Sequence, residues 1–201
     1  MIFTYVIAGR KEKIASQFQK SVSASLNDHP DQAQALFDAY EIHEDTSDDQ
    51  ALRHILEFAT DIGFYASALT IARAWPDHAY VYHFNVPNPW HGPFRGDSTH
   101  ILDVAFLFQN FNDHIDQELT AVAEKFGLDF ICFVNEKDSY PAHGKERRGV
   151  QIYGPPAMND CAFISEPTQQ TTGRRQTIWK LAEKTGLDKL SAAWDKFMAG
   201  H

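Results

Sequence analysis

Ala79-Tyr80-Val81-Tyr82-His83-Phe84-Asn85-Val86 is the stretch on which the fold turns. It is aromatic and β-branched almost throughout, and such side chains fit a pleated, half-buried surface, so it predicts a strand. Pro87-Asn88-Pro89-Trp90-His91-Gly92-Pro93 comes next and cannot continue it, because proline fixes φ and offers no amide donor. Outward from there, Gly149-Val150-Gln151-Ile152-Tyr153-Gly154 alternates between glycines and predicts a second strand, and Cys161-Ala162-Phe163-Ile164 a third. Most of the remaining chain has a helical period. Few strands among many helices predict an α/β layer architecture, helix-rich, with a few strands of an incomplete sheet.

The helical period is clearest near the beginning. Ile14, Phe18, Val22 and Leu26 predict a helix over 11–26. Pro30 suits a first helical position, with Ala33, Leu36, Phe37 and Tyr40 on one face. Thr46-Ser47-Asp48-Asp49 is a capping cluster with acids in the first turn, ahead of Leu52, Ile55, Leu56 and Ala59. A separate helical run is expected after Asp61-Ile62-Gly63, ending at Pro76. Later, Leu119, Val122, Ala123 and Phe126 mark a helix from about His114, and Phe130, Cys132, Phe133 and Val134 a second run. From Gly173 onward the chain reads as helical to its end.

At 201 residues the chain is long enough for one domain with a real core. With 43% hydrophobic and 13% aromatic residues it is globular in composition. A net charge of −9 argues against nucleic-acid binding, which needs a basic face for phosphate contacts. No run approaches the roughly 20 consecutive apolar residues of a membrane crossing, so no membrane span is expected. The segment 1–10 is apolar but its charges come after the apolar residues, so it reads as a core segment whose beginning is missing rather than as a signal peptide. Cys132 and Cys161 lie in apolar runs, which favours buried, inert thiols.

The chemistry concentrates in Gly96-Asp97-Ser98-Thr99-His100-Ile101-Leu102-Asp103-Val104-Ala105-Phe106-Leu107-Phe108. A histidine ends a polar, glycine-led loop, a carboxylate comes three residues later, and an apolar run anchors the next segment in a core. Such a histidine can serve as general base if it has a nucleophile on one ring nitrogen and an acid on the other. Asp103 falls in the first turn of the next element, which suits a supporting group better than a triad acid. Ser98 belongs to no G-x-S-x-G elbow and reads as a turn or site-lining residue. Trp90 and Phe94, in the loop before His100, are candidates with Ser98 to line an acyl pocket, whereas Tyr80 and Tyr82 read as core aromatics. The chain has neither an H-E-x-x-H nor a C-x-x-C spacing, and no phosphate-binding glycine motif, so no metal or cofactor is expected. His83, His91 and His100 make a third, weaker alternative, a metal-dependent hydrolase.

Val81-Tyr82-His83-Phe84, the proline loop, and Gly96, His100, Asp103, Phe106, Leu107 and Phe108 resemble the C-terminal part of the type-B carboxylesterases. These form the carboxylesterase/lipase family that includes the cholinesterases, within the α/β-hydrolase fold. The resemblance implies that residues 1–201 form a single partial domain of that fold. It makes His100 the triad histidine and Asp103 the acid that supports the site from behind it. It also implies that the nucleophile elbow, triad acid and oxyanion donors lie upstream, so that the chain is inactive alone. The implied substrate is a small carboxylic ester, met once the missing half completes the site. The alternative is a non-catalytic, cholinesterase-like interaction module. In either case a strand at Val81 without upstream neighbours offers an unpaired sheet edge, and self-association through it is expected.

Overall fold

Alternation of period between 3.6 and 2 along the chain is realised as helices and a small sheet. The computed structural model describes Ile7 and residues 12–92, 94–144, 148–155, 161–165 and 174–200. In chain order the helices are α1 (Ile14–Ser25), α2 (Pro30–Ala39), α3 (Asp48–Thr60), α4 (Ala66–Ala74), α5 (Leu102–Leu107), α6 (Gln117–Val134), α7 (Arg174–Thr185) and α8 (Leu187–Ala199). The strands are β1 (Tyr82–Phe84), β2 (Gly149–Tyr153) and β3 (Phe163–Ser165). The chain is thus a helix-rich α/β protein with a small mixed sheet. It divides into two compact units, one of Met1–Thr70 with Gln170–His201 and one of Ile71–Gln169.

In the first unit the apolar stripes of α1, α2, α3, α7 and α8 share one core. Phe18 is at its centre, fully buried, with edge-to-face contacts to Phe58 (centroids 5.2 Å apart) and Phe197 (5.4 Å). Such pairs add about 0.5–1.5 kcal/mol each beyond area burial. The capping cluster acts at a distance. Asp48 accepts hydrogen bonds from the Lys13 and Ile14 amides at 3.2 and 3.0 Å, so the acid that opens α3 also caps α1. Ser47, the expected cap of α3, instead donates to Gln50. Ile7, in the segment read as core, is fully buried; the other residues of 1–10 lie outside the described residues.

Two expectations for this region need correction. The helix does not stop at Asp61-Ile62-Gly63. It widens into a π turn, Asp61–Tyr65, and continues as α4, because one extra residue per turn accommodates the sequence without breaking the ladder. As a result Asp48–Ala74 is one helix of 27 residues with a window of mean hydropathy 1.3. By length and composition it can cross a membrane, and half of that window is buried inside the protein, as in a core helix. A count of consecutive apolar residues misses it because its polar positions are dispersed. The terminal helical run is likewise two helices, α7 and α8, divided at Gly186, whose φ of 84° is a conformation that side chains with a Cβ resist.

The second unit carries the sheet, in the order β1-β2-β3. β1 and β2 are parallel, with Tyr82 opposite Gln151 and Phe84 opposite Tyr153. Parallel neighbours need a long crossover, and α5 and α6 lie within it. β2 and β3 are antiparallel, with Gly149 opposite Ser165. All five residues of β2 are buried, so the second expected strand is the central one, covered on both faces. At its end Gly154 adopts a φ of 96°, and a Cβ there would lie 2.6 Å from the Val86 amide nitrogen. The first strand is shorter than expected, since Ala79 is held only by a bridge to His143.

The core of this unit joins Val86, Leu102, Phe106, Leu119, Val122, Ala123, Phe126 and Tyr153. α6 is one helix, begun by Asp116, whose carboxylate accepts from the Leu119 amide at 2.8 Å. Its second apolar run is not core: Leu128, Phe130, Ile131, Phe133 and Val134 are all exposed. Cys132, expected buried, is only half-buried; Cys161 is buried, as expected.

Candidate functional site

β1 is an edge strand among the described residues. The Gln151 amide donates to the Val81 carbonyl at 2.9 Å and the Asn85 amide to the Tyr153 carbonyl at 2.7 Å. The backbone of residues 81, 83 and 85 therefore faces β2, and by alternation that of Tyr82 and Phe84 faces the open side. Ser98 covers part of this edge: its hydroxyl donates to the Phe84 carbonyl at 2.7 Å.

The proline loop closes on itself before it reaches Ser98. The Gly96 amide donates to the Asn88 carbonyl at 2.9 Å, and the Asn88 amide to the Asp97 carbonyl at 3.0 Å. The Asn88 side chain also accepts from the Trp90 amide at 3.0 Å, a local turn that asparagine favours. The loop thus delivers the chain to Ser98 in a fixed place on β1.

His100 comes two residues later, exposed to solvent. The next residue, Ile101, caps α5 with φ 60° and ψ 9°. A β-branched residue in the left-handed region is an outlier, costing on the order of 1–3 kcal/mol, and such strain clusters at functional sites. α5 is then held by its apolar face. Leu102 and Phe106 are buried, and Phe106 packs edge-on against Phe84 of β1 at 5.3 Å.

Asp103, in the first turn of α5, accepts a hydrogen bond from the Tyr82 hydroxyl at 3.1 Å. Burial pushes the Tyr82 hydroxyl up to about 12, and the neighbouring Asp103 carboxylate adds to the shift, so it remains a donor across the neutral range. The strand pattern makes Tyr82 a core aromatic. The structure corrects this: Tyr82 is exposed, its ring packing on Phe126 (5.1 Å) at the rim of the core, and its hydroxyl does something that pattern does not encode. The available signal is chemical: tyrosine alternating with phenylalanine on one strand face brings a hydroxyl that needs a partner.

The other candidates separate. Ser98 is committed to a backbone carbonyl. Trp90 is half-buried, packs against the unit's core and stacks edge-on with Phe111 at 5.3 Å, so it forms part of a wall. Phe94 is half-buried in the loop. His91 lies 3.4 Å from the Arg95 guanidinium through Nδ1. Among the described residues no three histidine, cysteine or carboxylate side chains gather as a metal site needs, which leaves the alternative of His83, His91 and His100 without support.

Two buried carboxylates escape sequence reasoning. Asp129 on α6 accepts from the Tyr153 hydroxyl at 2.6 Å and pairs with Lys125 one turn away. Burial, reinforced by Asp129, holds the Tyr153 hydroxyl far above the ordinary tyrosine range. In the first unit Asp61 is fully buried at the mouth of the π turn. It accepts from Arg174 Nε at 2.8 Å, Arg175 Nε at 3.1 Å and the Tyr40 hydroxyl at 3.0 Å. Burial works against the charge on Arg174, but Asp61 and Glu57 outweigh it and raise its pKa. With three donors converging on one carboxylate, this cluster is saturated and structural. Comparison of the chain with family models, curated proteins and solved structures finds no match.

Proposed function

We propose that this chain supplies the histidine of a serine ester hydrolase of the type-B carboxylesterase kind, as the C-terminal part of an α/β-hydrolase domain. The observation that carries this reading is the setting of His100: an exposed histidine at the end of a closed loop, succeeded at once by the strained Ile101. His100 takes the proton of a serine hydroxyl as that oxygen attacks an ester carbonyl, then returns it to the departing alkoxide; water repeats the sequence to release the acid. Asp103, already bonded to Tyr82, supports the segment from behind.

The serine, the triad acid and the oxyanion donors come from another segment, which pairs with the open edge of β1. Without them the histidine alone retains little rate enhancement, since these parts act as a unit. In the absence of the completing segment a second copy takes the same edge, and the chain self-associates. The test is an organophosphonate probe on the purified chain, read by intact mass. The expected result is no adduct and no ester hydrolysis; an adduct on Ser98 sinks the assignment of the nucleophile to another segment.

A non-catalytic interaction module is the second reading, favoured by the exposed apolar side chains from Leu128 to Val134. It is preferred if the chain, joined to the N-terminal part of a serine carboxylesterase stripped of its own histidine segment, folds but restores no hydrolysis.

A further inference from the structure

His100 is bracketed by two hydrogen bonds that both end on β1. Two residues before it, Ser98 donates to the Phe84 carbonyl at 2.7 Å. Three residues after it, Asp103 accepts from the Tyr82 hydroxyl at 3.1 Å. Tyr82 and Phe84 are alternate residues of the same strand, so the two ties leave one short element about two residues apart, roughly 7 Å. The segment from Ser98 to Asp103, which carries both ties, includes Ile101, whose left-handed backbone is the conformation a free chain would avoid. Something must hold that conformation, and for this segment the two ties and the Phe106–Phe84 ring contact are connections to the sheet.

We infer that Tyr82 and Ser98 are positioning residues: together they clamp the segment that carries His100 onto β1 and hold Ile101 in its strained conformation. Neither touches a reacting atom; they act through the backbone of residues 98–103. Sequence pattern alone puts Tyr82 in the core and Ser98 in a pocket wall, so the clamp is visible only in three dimensions. It also separates two uses of the Tyr82 side chain. The ring packs against Phe126 and Tyr153, and loss of the hydroxyl leaves that packing in place. That the clamped histidine is a triad member rests on the proposed esterase function; that the clamp exists does not.

The difference makes the inference testable in two arms. In the first, backbone 15N relaxation is measured on the full chain. His100 and Ile101 amides are expected to show order parameters near the rigid value of about 0.85 in the wild type and below about 0.6 in the double variant Tyr82→Phe/Ser98→Ala. Ser98→Thr, which keeps a hydroxyl, restores the rigid value when it replaces Ser98→Ala, whereas amides of α1 and α6 serve as controls and do not change. Unaltered order at His100 in the double variant overturns the clamp, and so does loss of order with Ser98→Thr equal to that with Ser98→Ala. In the second arm the same variants are placed in the hybrid with the N-terminal part of a serine carboxylesterase. The expected result is a fall in kcat of about 10–100-fold with KM unchanged, as for a misplaced catalytic group. A fall confined to KM overturns the positioning role. If the order parameters behave as expected and the hybrid is inactive even with the wild-type chain, the clamp stands and the esterase reading fails.

Discussion

The two units spend their side chains differently. In the unit of Met1–Thr70 with Gln170–His201 the apolar stripes meet in one core, and the fully buried Asp61 is met by three donors. In the unit of Ile71–Gln169 the sheet ends at an edge strand among the described residues, α6 shows five large apolar side chains to solvent, and a β-branched residue beside an exposed histidine is strained. The first unit gathers its apolar stripes and meets its central carboxylate from within, which is how a structural element behaves. The second leaves apolar side chains of α6 uncovered and holds a β-branched residue in a left-handed conformation, and such features cluster at functional and interaction sites. The proposed site lies in the second unit.

The contrast can be tested by truncating a central apolar residue of the first unit and an uncovered one of the second. Phe18→Ala removes a fully buried ring from the first core and should cost about 3–5 kcal/mol in urea unfolding, enough to leave much of the chain unfolded. Ile131→Ala, on the exposed end of α6, should fall within about 0.5 kcal/mol of the wild type. Equal costs would erase the distinction. Next in size is Asp61→Ala. It leaves two arginines facing each other without their shared carboxylate and should destabilise by about 3 kcal/mol, the lower end for a broken buried pair because the arginines are each about a third exposed.

Alkaline pH tests both units together. Burial is the first cause of the raised pKa at Tyr40, Tyr80, Tyr82, Tyr140 and Tyr153, and nearby carboxylates add to it. A group whose folded pKa exceeds its unfolded value stabilises the fold below the unfolded value and loses that contribution as pH rises toward the folded one. Stability should therefore hold up to about pH 10, the ordinary tyrosine value, and fall above it. Tyr82 titrates at about 12 in the folded chain. Tyrosinate absorbance should thus appear together with loss of circular dichroism; ionisation of these residues at about pH 10 in a folded chain would contradict the burial argument. The smallest effect on stability is expected from Phe130→Ser with Ile131→Ser, both exposed, which should leave the urea unfolding midpoint nearly unchanged.

Much of the fold is legible because helices and strands write their period locally. Ile14, Phe18 and Val22 announce α1, and Pro30 opens α2 where proline is tolerated. What escapes is non-local or geometric. Asp48 caps a helix 34 residues earlier, and Arg174 reaches Asp61 across 113 residues; no window contains both partners. The apolar run from Phe130 to Val134 looks like core because apolarity says nothing about whether a neighbour is there to cover it. In the candidate site His100 and Asp103 stand out by type and spacing. The hydroxyl tie from Tyr82 does not, because strand alternation reports which face a ring takes and not what its polar end finds. Ile101 is invisible for the opposite reason: isoleucine is a residue from which one predicts anything but a left-handed backbone.

The central claim, that His100 is the proton-transfer group of a serine esterase site, is tested most directly in the completed enzyme. Hydrolysis of a short-chain p-nitrophenyl ester is measured with the wild-type chain and with His100→Gln. The wild-type chain should restore turnover, and His100→Gln should lower kcat by about 10³-fold or more at unchanged fold. A folded hybrid that turns over equally well with glutamine at that position contradicts it.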